Sequence, residues 1–243
     1  MSISQKLLPF VVLSAVLAVA LVGCASEESE QPAAESAEDA TERAVEPTPE
    51  EVEETVKADL TYIQNGKQKV MEVNYLPPGR KIVTMETTKG TITIELWEEV
   101  APNTVVNFVH LANSGRYDGV EFHRVIAGFM AQGGDVSGQK GAGDPGYDIP
   151  DEFNPDVHHV RGVISMAHTP APNSAGSQFF ICYGSPSHLD GKYAAFGQVL
   201  EGMDVVDSLA KAPLGSTSGI VENPDKMVKV RVASVPEEET SEE

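Results

Sequence analysis

The chain has 243 residues, with 17 Lys and Arg against 37 Asp and Glu and a formal net charge of -20. That length suits one ordinary domain with flanking segments, or two small ones. The sign excludes a basic nucleic-acid face, which phosphate backbones require, and an apolar content of 41% is enough for a packed core.

Taken in chain order, residues 1–23 read as a targeting segment. Lys6 supplies a positive flank, and Leu7 to Val22 is apolar apart from Pro9 and Ser14. Sixteen helical residues span about 24 Å, short of the roughly 30 Å hydrocarbon core, which fits a signal-peptide apolar region better than a spanning helix. The run ends in Leu21-Val22-Gly23-Cys24. This resembles the bacterial lipoprotein signal, in which small residues precede a lipidated cysteine. The resemblance implies acylation of Cys24, a lipid bilayer as partner and an extracytoplasmic, membrane-anchored location. Two acyl chains suffice for stable anchoring, whereas one is marginal.

Residues 24–57 read as an acidic linker. Positions 25–56 hold twelve acids and one Arg, with no apolar period. As a flexible coil this stretch spans roughly 30 Å, and charge repulsion extends it. Residues 58–80 read as a hairpin extension, with Tyr62-Ile63-Gln64 and Lys67 to Val73 flanking an Asn65-Gly66 turn. The residues alone leave open whether this hairpin packs on the main domain. An acidic tail, 236–243, closes the chain.

The main domain is expected over 81–235, which is only mildly acidic, with eighteen acids and eleven bases. Strands are predicted at Ile82–Thr88 and Thr91–Trp97, where Ile92, Ile94 and Leu96 alternate with polar residues. A helix follows from Pro102 to Ser114, ended by Gly115. Further short strands are predicted at Val120–Val125, Gly162–Ala167, Phe179–Tyr183, Ala194–Val199 and Val228–Val232, with a second helix over Met203–Ala210. Short strands, two helices and Gly-rich loops point to a mainly β barrel.

Familiar chemistries leave no trace. The six histidines form no metal motif, and His158 and His159 would point apart on a strand. There is no phosphate loop, calcium loop or nucleophile elbow. Cys182 follows Phe179-Phe180-Ile181 and reads as a buried, inert thiol; with Cys24 it implies no disulfide framework. No cofactor and no metal are expected.

Three stretches stand out instead. Phe122-His123-Arg124-Val125-Ile126-Ala127-Gly128-Phe129-Met130-Ala131-Gln132-Gly133-Gly134-Asp135 sets one cation among apolar residues. Gly176-Ser177-Gln178-Phe179-Phe180-Ile181 sets an amide beside aromatics, and Leu189-Asp190-Gly191-Lys192-Tyr193-Ala194-Ala195-Phe196-Gly197 is the third. With Ser165-Met166-Ala167 and Pro172-Asn173-Ser174, they resemble the cyclophilin family over about 83–235. The resemblance implies a closed eight-stranded antiparallel barrel capped by two α-helices, and peptidyl-prolyl cis/trans isomerase activity. It implies Arg124 as the catalytic residue and a proline slot of Phe129, Met130, Phe180 and Leu189. Gln132 would help position Arg124 and the substrate carbonyl, Ala167-His168-Thr169 would pair with an extended substrate, and Gln178 would lie nearby. The implied partners are proline-containing polypeptides, and a monomer is expected.

These residue types suit the reaction. Rotation about an amide costs about 18–20 kcal/mol because the C–N bond is partly double. No bond need break, so no nucleophile is needed. On twisting, the prolyl nitrogen gains a lone pair, and a fixed guanidinium can donate to it only then. Several positions depart from the family's usual pattern, among them Ala127 for a frequent Pro, a rearranged glycine loop after Asp135 and an extra Pro170. His188 stands where many cyclophilins carry Trp, and Tyr193 where the family has His. The indole N–H and flat apolar face are thereby lost, which leaves cyclosporin sensitivity open. A non-catalytic proline-recognising module or holdase is the competing reading.

Overall fold

The computed structural model describes residues 55–139, 141 and 143–236. The expected targeting segment, Cys24, nearly all of the acidic linker and the acidic tail after Pro236 lie outside them.

The order of elements is β1 (Val56–Gln64), β2 (Lys67–Tyr75), β3 (Arg80–Thr87), β4 (Gly90–Leu96), α1 (Pro102–Asn113), β5 (Arg124–Ile126), β6 (Met130–Gly133), β7 (Val163–Met166), β8 (Phe179–Cys182), a 3-10 turn (Ser187–Leu189), β9 (Ala195–Glu201), α2 (Met203–Ser208) and β10 (Met227–Val235). Eight strands form one antiparallel sheet in the order β10-β3-β4-β9-β7-β8-β6-β5. Side-chain alternation sets its buried face: Val83 and Met85 on β3, and Ile92 and Ile94 on β4, are fully buried while the residues between them face outward.

The closed ring expected from the resemblance gives way to a curled half-barrel. Its end strands β10 and β5 do not pair with each other. Isolated bridges, Glu121↔Lys226 and Arg124↔Ile220, and single backbone hydrogen bonds such as Met227 N–H to the Val120 carbonyl (2.8 Å) span that side without forming a ladder. The strand expected over Val120–Val125 is accordingly reduced to Arg124–Ile126, and β6 is an additional strand.

Helix α1 starts with Pro at its first position, where a missing N–H costs nothing. Ala101 offers no side-chain cap. Glu152 fills that role from a distant loop, accepting from the backbone N–H groups of Asn103 (3.1 Å) and Thr104 (2.7 Å). The helix buries Val105, Phe108, Val109 and Ala112, but also Thr104, Val106, Asn107 and Leu111. It is covered on two sides, by the barrel and by the β1–β2 hairpin.

That hairpin is a separate two-stranded sheet. Asn65 (φ 54°) and Gly66 (φ 69°) make its two-residue turn, which demands left-handed backbone at both positions. It is docked, not free. Leu60, Val73, Tyr75 and the following Leu76 are buried in the main core cluster. Each such burial contributes about 1.5–3 kcal/mol before ordering entropy is subtracted. Asn103 on α1 pairs with the Thr61 backbone twice, accepting from its N–H at 2.8 Å and donating to its carbonyl at 3.0 Å.

Candidate active site

Arg124 lies on the end strand β5, directly opposite Gln132 on β6. Its guanidinium is half-buried and held from two sides. Nε donates to the Ser218 carbonyl (2.9 Å) and Nη1 donates to Gln132 Oε1 (3.2 Å), with Met130 Sδ at 3.7 Å. The two Nη2 hydrogens meet no acceptor among the described residues, and no carboxylate there pairs with Arg124. Burial lowers its pKa somewhat, yet guanidinium stays charged in proteins.

The amide chain behind it has one consistent polarity. Gln178 Nε2 donates to the carbonyls of Gly141 (3.1 Å) and Gly143 (2.9 Å). Its Oε1 is therefore the atom that accepts from Gln132 Nε2 (3.0 Å), which turns Gln132 Oε1 toward Arg124. Two carbonyls at one end and a cation at the other permit no flipped amide.

Beside the guanidinium opens a cleft of about 410 Å³, lined by Arg124, Phe129, Met130, Gln132, Ala167, His168, Phe180, His188, Leu189, Lys192 and Tyr193. Its floor is a small apolar cluster of Met130, Phe180, Cys182 and Leu189, with Ile126, Phe129, Ala167 and Tyr193 packed on it, separate from the main core. These side chains form a slot of their own and do not fill the barrel. His188 is exposed and stacks on Phe129 (centroids 5.6 Å apart), while Tyr193 packs on His168 at 4.4 Å and edge-on to Phe180 at 5.6 Å. Burial pushes the Cys182 thiol up to about 12, so it is neutral and unreactive at physiological pH.

A second cavity of about 410 Å³ adjoins the slot, sharing Gln132, Ala167 and His168 and adding Thr169, Gln178, Ser174, Gly176, Asp144 and Asp148. Thr169 and Gln178 therefore sit on this neighbouring wall, not in the slot. Together the two cavities form an extended groove, with an apolar end beside Arg124 and a polar end beside Asp148.

Some supporting residues were absent from the sequence reading. Lys192 lines the slot although it sits within a quoted motif. Ser218 acts through its carbonyl, which no side-chain pattern reveals. Asp190 ties down the turn that carries His188, Leu189 and Tyr193. Its Oδ1 accepts from the His159 backbone N–H (2.8 Å) and faces His159 Nδ1 (2.9 Å), and its Oδ2 faces His158 Nδ1 (2.9 Å). These donors, the His159 backbone first, hold the Asp190 carboxyl far below the usual carboxylate range. A proton on His159 Nδ1 leaves Nε2 of the neutral ring to accept from the Ser165 hydroxyl (3.1 Å). The carboxylate–imidazole–hydroxyl order is that of a nucleophilic triad, but Ser165 is fully buried and cannot meet a substrate.

Comparisons with known proteins agree on one family. The family model for cyclophilin type peptidyl-prolyl cis-trans isomerase matches residues 82–233. A peptidyl-prolyl cis-trans isomerase of Synechococcus elongatus is 53% identical over 127 residues, covering 51% of this chain and 86% of the relative. The human peptidyl-prolyl cis-trans isomerase-like 3 is 46% identical over 135 residues, covering 54% and 83%. The crystal structure of a Cryptosporidium parvum cyclophilin superposes with a TM-score of 0.58 at 30% identity, covering 65% of this chain and 99% of that one. The same protein in the presence of the dipeptide Ala-Pro gives 0.57. The chain thus belongs to the cyclophilin-type peptidyl-prolyl cis-trans isomerases.

Proposed function

We propose that this isomerase works by binding the twisted X-Pro amide better than either planar form, with Arg124 as the catalytic residue. The observation that carries this reading is the pair of Nη2 donors without a partner among the described residues, beside a slot with an apolar floor. The planar prolyl nitrogen is a poor acceptor because its lone pair is delocalised. As the bond rotates, that pair localises and accepts from the guanidinium, so the contact strengthens only toward the transition state. Phe129, Met130, Phe180 and Leu189 grip the ring, with His188 and Tyr193 at the rim. Gln132 positions Arg124, and the Ala167–Thr169 backbone pairs with the extended chain beside Gln178.

In the full chain, Arg124→Ala should lower kcat/KM for prolyl isomerisation of a test peptide by about 10²-fold or more, the effect of losing one transition-state donor. An unchanged rate in a folded variant would remove Arg124 from the mechanism. We further propose a monomeric, extracytoplasmic enzyme, anchored to a bacterial membrane by acylated Cys24 and held off it by the acidic linker. Its substrates there are exported, proline-containing polypeptides. The lipoprotein-like Leu21-Val22-Gly23-Cys24 run supports this location.

A further inference from the structure

The β1–β2 hairpin lies outside the residues that match the family model, and its far end reaches the substrate groove. Ile63 and Asp148 exchange both backbone hydrogen bonds, Ile63 N–H to the Asp148 carbonyl at 2.7 Å and Asp148 N–H to the Ile63 carbonyl at 3.0 Å. Gln64 Nε2 donates to the Gly146 carbonyl at 3.2 Å. The Tyr62 ring meets Tyr147 edge-on, centroids 5.5 Å apart. Three consecutive hairpin residues thus hold three consecutive residues of the segment 146–148.

That segment is a wall of the groove. Asp148 lines the second cavity, and the next residue, Ile149, donates to the Ala175 carbonyl at 2.7 Å. Tyr147 passes the contact inward: its hydroxyl donates to Asn107 Oδ1 (2.8 Å), and Asn107 Nδ2 donates to the Gly176 carbonyl (2.8 Å) on the adjoining segment. Asn107 is fully buried on α1, the helix to which Asn103 also fastens Thr61. Two adjoining segments of the second cavity's lining are therefore tied to the same helix, and the hairpin braces one of them from outside. The slot beside Arg124 has no contact with the hairpin among these links.

We infer that the N-terminal hairpin, through Tyr62–Gln64, positions the 146–148 wall of the second cavity and so sets how tightly the enzyme holds substrate residues beyond the X-Pro pair. The inference rests on the groove being the peptide site. A brace on the distal wall acts on binding of an extended peptide and leaves amide rotation in the slot untouched.

The test compares two substrates on the full chain: a capped dipeptide confined to the slot, and a longer peptide that extends through the groove. Tyr62→Ala removes the ring contact, and Tyr62→Phe keeps it. Tyr62→Ala is expected to raise KM for the longer peptide by about three- to tenfold, the size of one lost weak contact. Its kcat, and kcat/KM for the capped dipeptide, should match wild type, and Tyr62→Phe should match wild type on both peptides. An equal change on both substrates, or no change on the longer one, would overturn the hairpin's role. A wild type inactive on both would overturn the isomerase mechanism with it, so the two failures are told apart.

Discussion

Gln132 offers the sharpest test of how the guanidinium is held. Its Oε1 accepts from Arg124 Nη1 at 3.2 Å, the long end of the range for such a bond. A hydrogen bond to a charged group is worth about 1.5–3 kcal/mol, and this length places it near the lower figure. If that energy serves to aim Arg124, Gln132→Ala should lower kcat by about tenfold, since about 1.4 kcal/mol is one decade. The decisive measurement is a double-mutant cycle read by a prolyl isomerisation assay on one peptide. In an Arg124→Ala background, Gln132→Ala should cost almost nothing further, because the residue it positions is gone. Equal losses in both backgrounds would mean that Gln132 acts through its contact with the substrate alone, and the argument that it positions Arg124 would fail. Gln178→Ala, one step further back, should cost less than Gln132→Ala, about threefold, as the loss of a neutral bond.

Two other outcomes are expected from the described contacts and from the sequence. Asp190 has a depressed folded-state pKa, so its stabilisation is fully present above the unfolded carboxylate value and is lost as pH falls through the folded one. The melting temperature of Asp190→Asn should therefore lie below wild type near neutrality, with the gap closing in strong acid; a gap independent of pH would reject that linkage. For the anchor, Cys24→Ser should release the protein from membranes or block removal of residues 1–23. Persistent membrane attachment in cell fractionation would mean that another feature holds it there.

The elements legible in the sequence were those with a repeating physical signal. β4 alternates strictly, and α1 has Pro at its start, Gly just past its end and apolar residues at helical spacing, so their bounds fall within two residues of expectation. β6 gave no such signal: Met130-Ala131-Gln132-Gly133 is four residues long, with a polar Gln half-exposed to the site. The helix face was underestimated because Thr104 and Asn107 are buried against distant partners, Glu152 for the first and Tyr147 and Gly176 for the second, which helical periodicity cannot register. Within the site, long side chains in the motifs were readable, while the Ser218 carbonyl was not. A backbone acceptor carries no residue-type signature.

The open edge of the half-barrel bears directly on how that carbonyl is placed. Val125 N–H donates to the Gly219 carbonyl (2.8 Å), and Ala212 N–H donates to the Val125 carbonyl (3.1 Å). The free side of β5 is thus taken by the segment 212–220 in place of β10. Gly219 adopts φ 73°, and a Cβ there would stand 2.5 Å from Ile126 Cγ1, so only glycine lets the segment approach so closely. That approach delivers the preceding carbonyl, Ser218, to Arg124 Nε. A full β5–β10 ladder would displace this segment and with it the acceptor that fixes one side of the guanidinium. The unclosed edge and the aimed arginine are therefore one structural feature, and the proposed donor gains from its end strand a backbone anchor of a kind that interior strands commit to their neighbours.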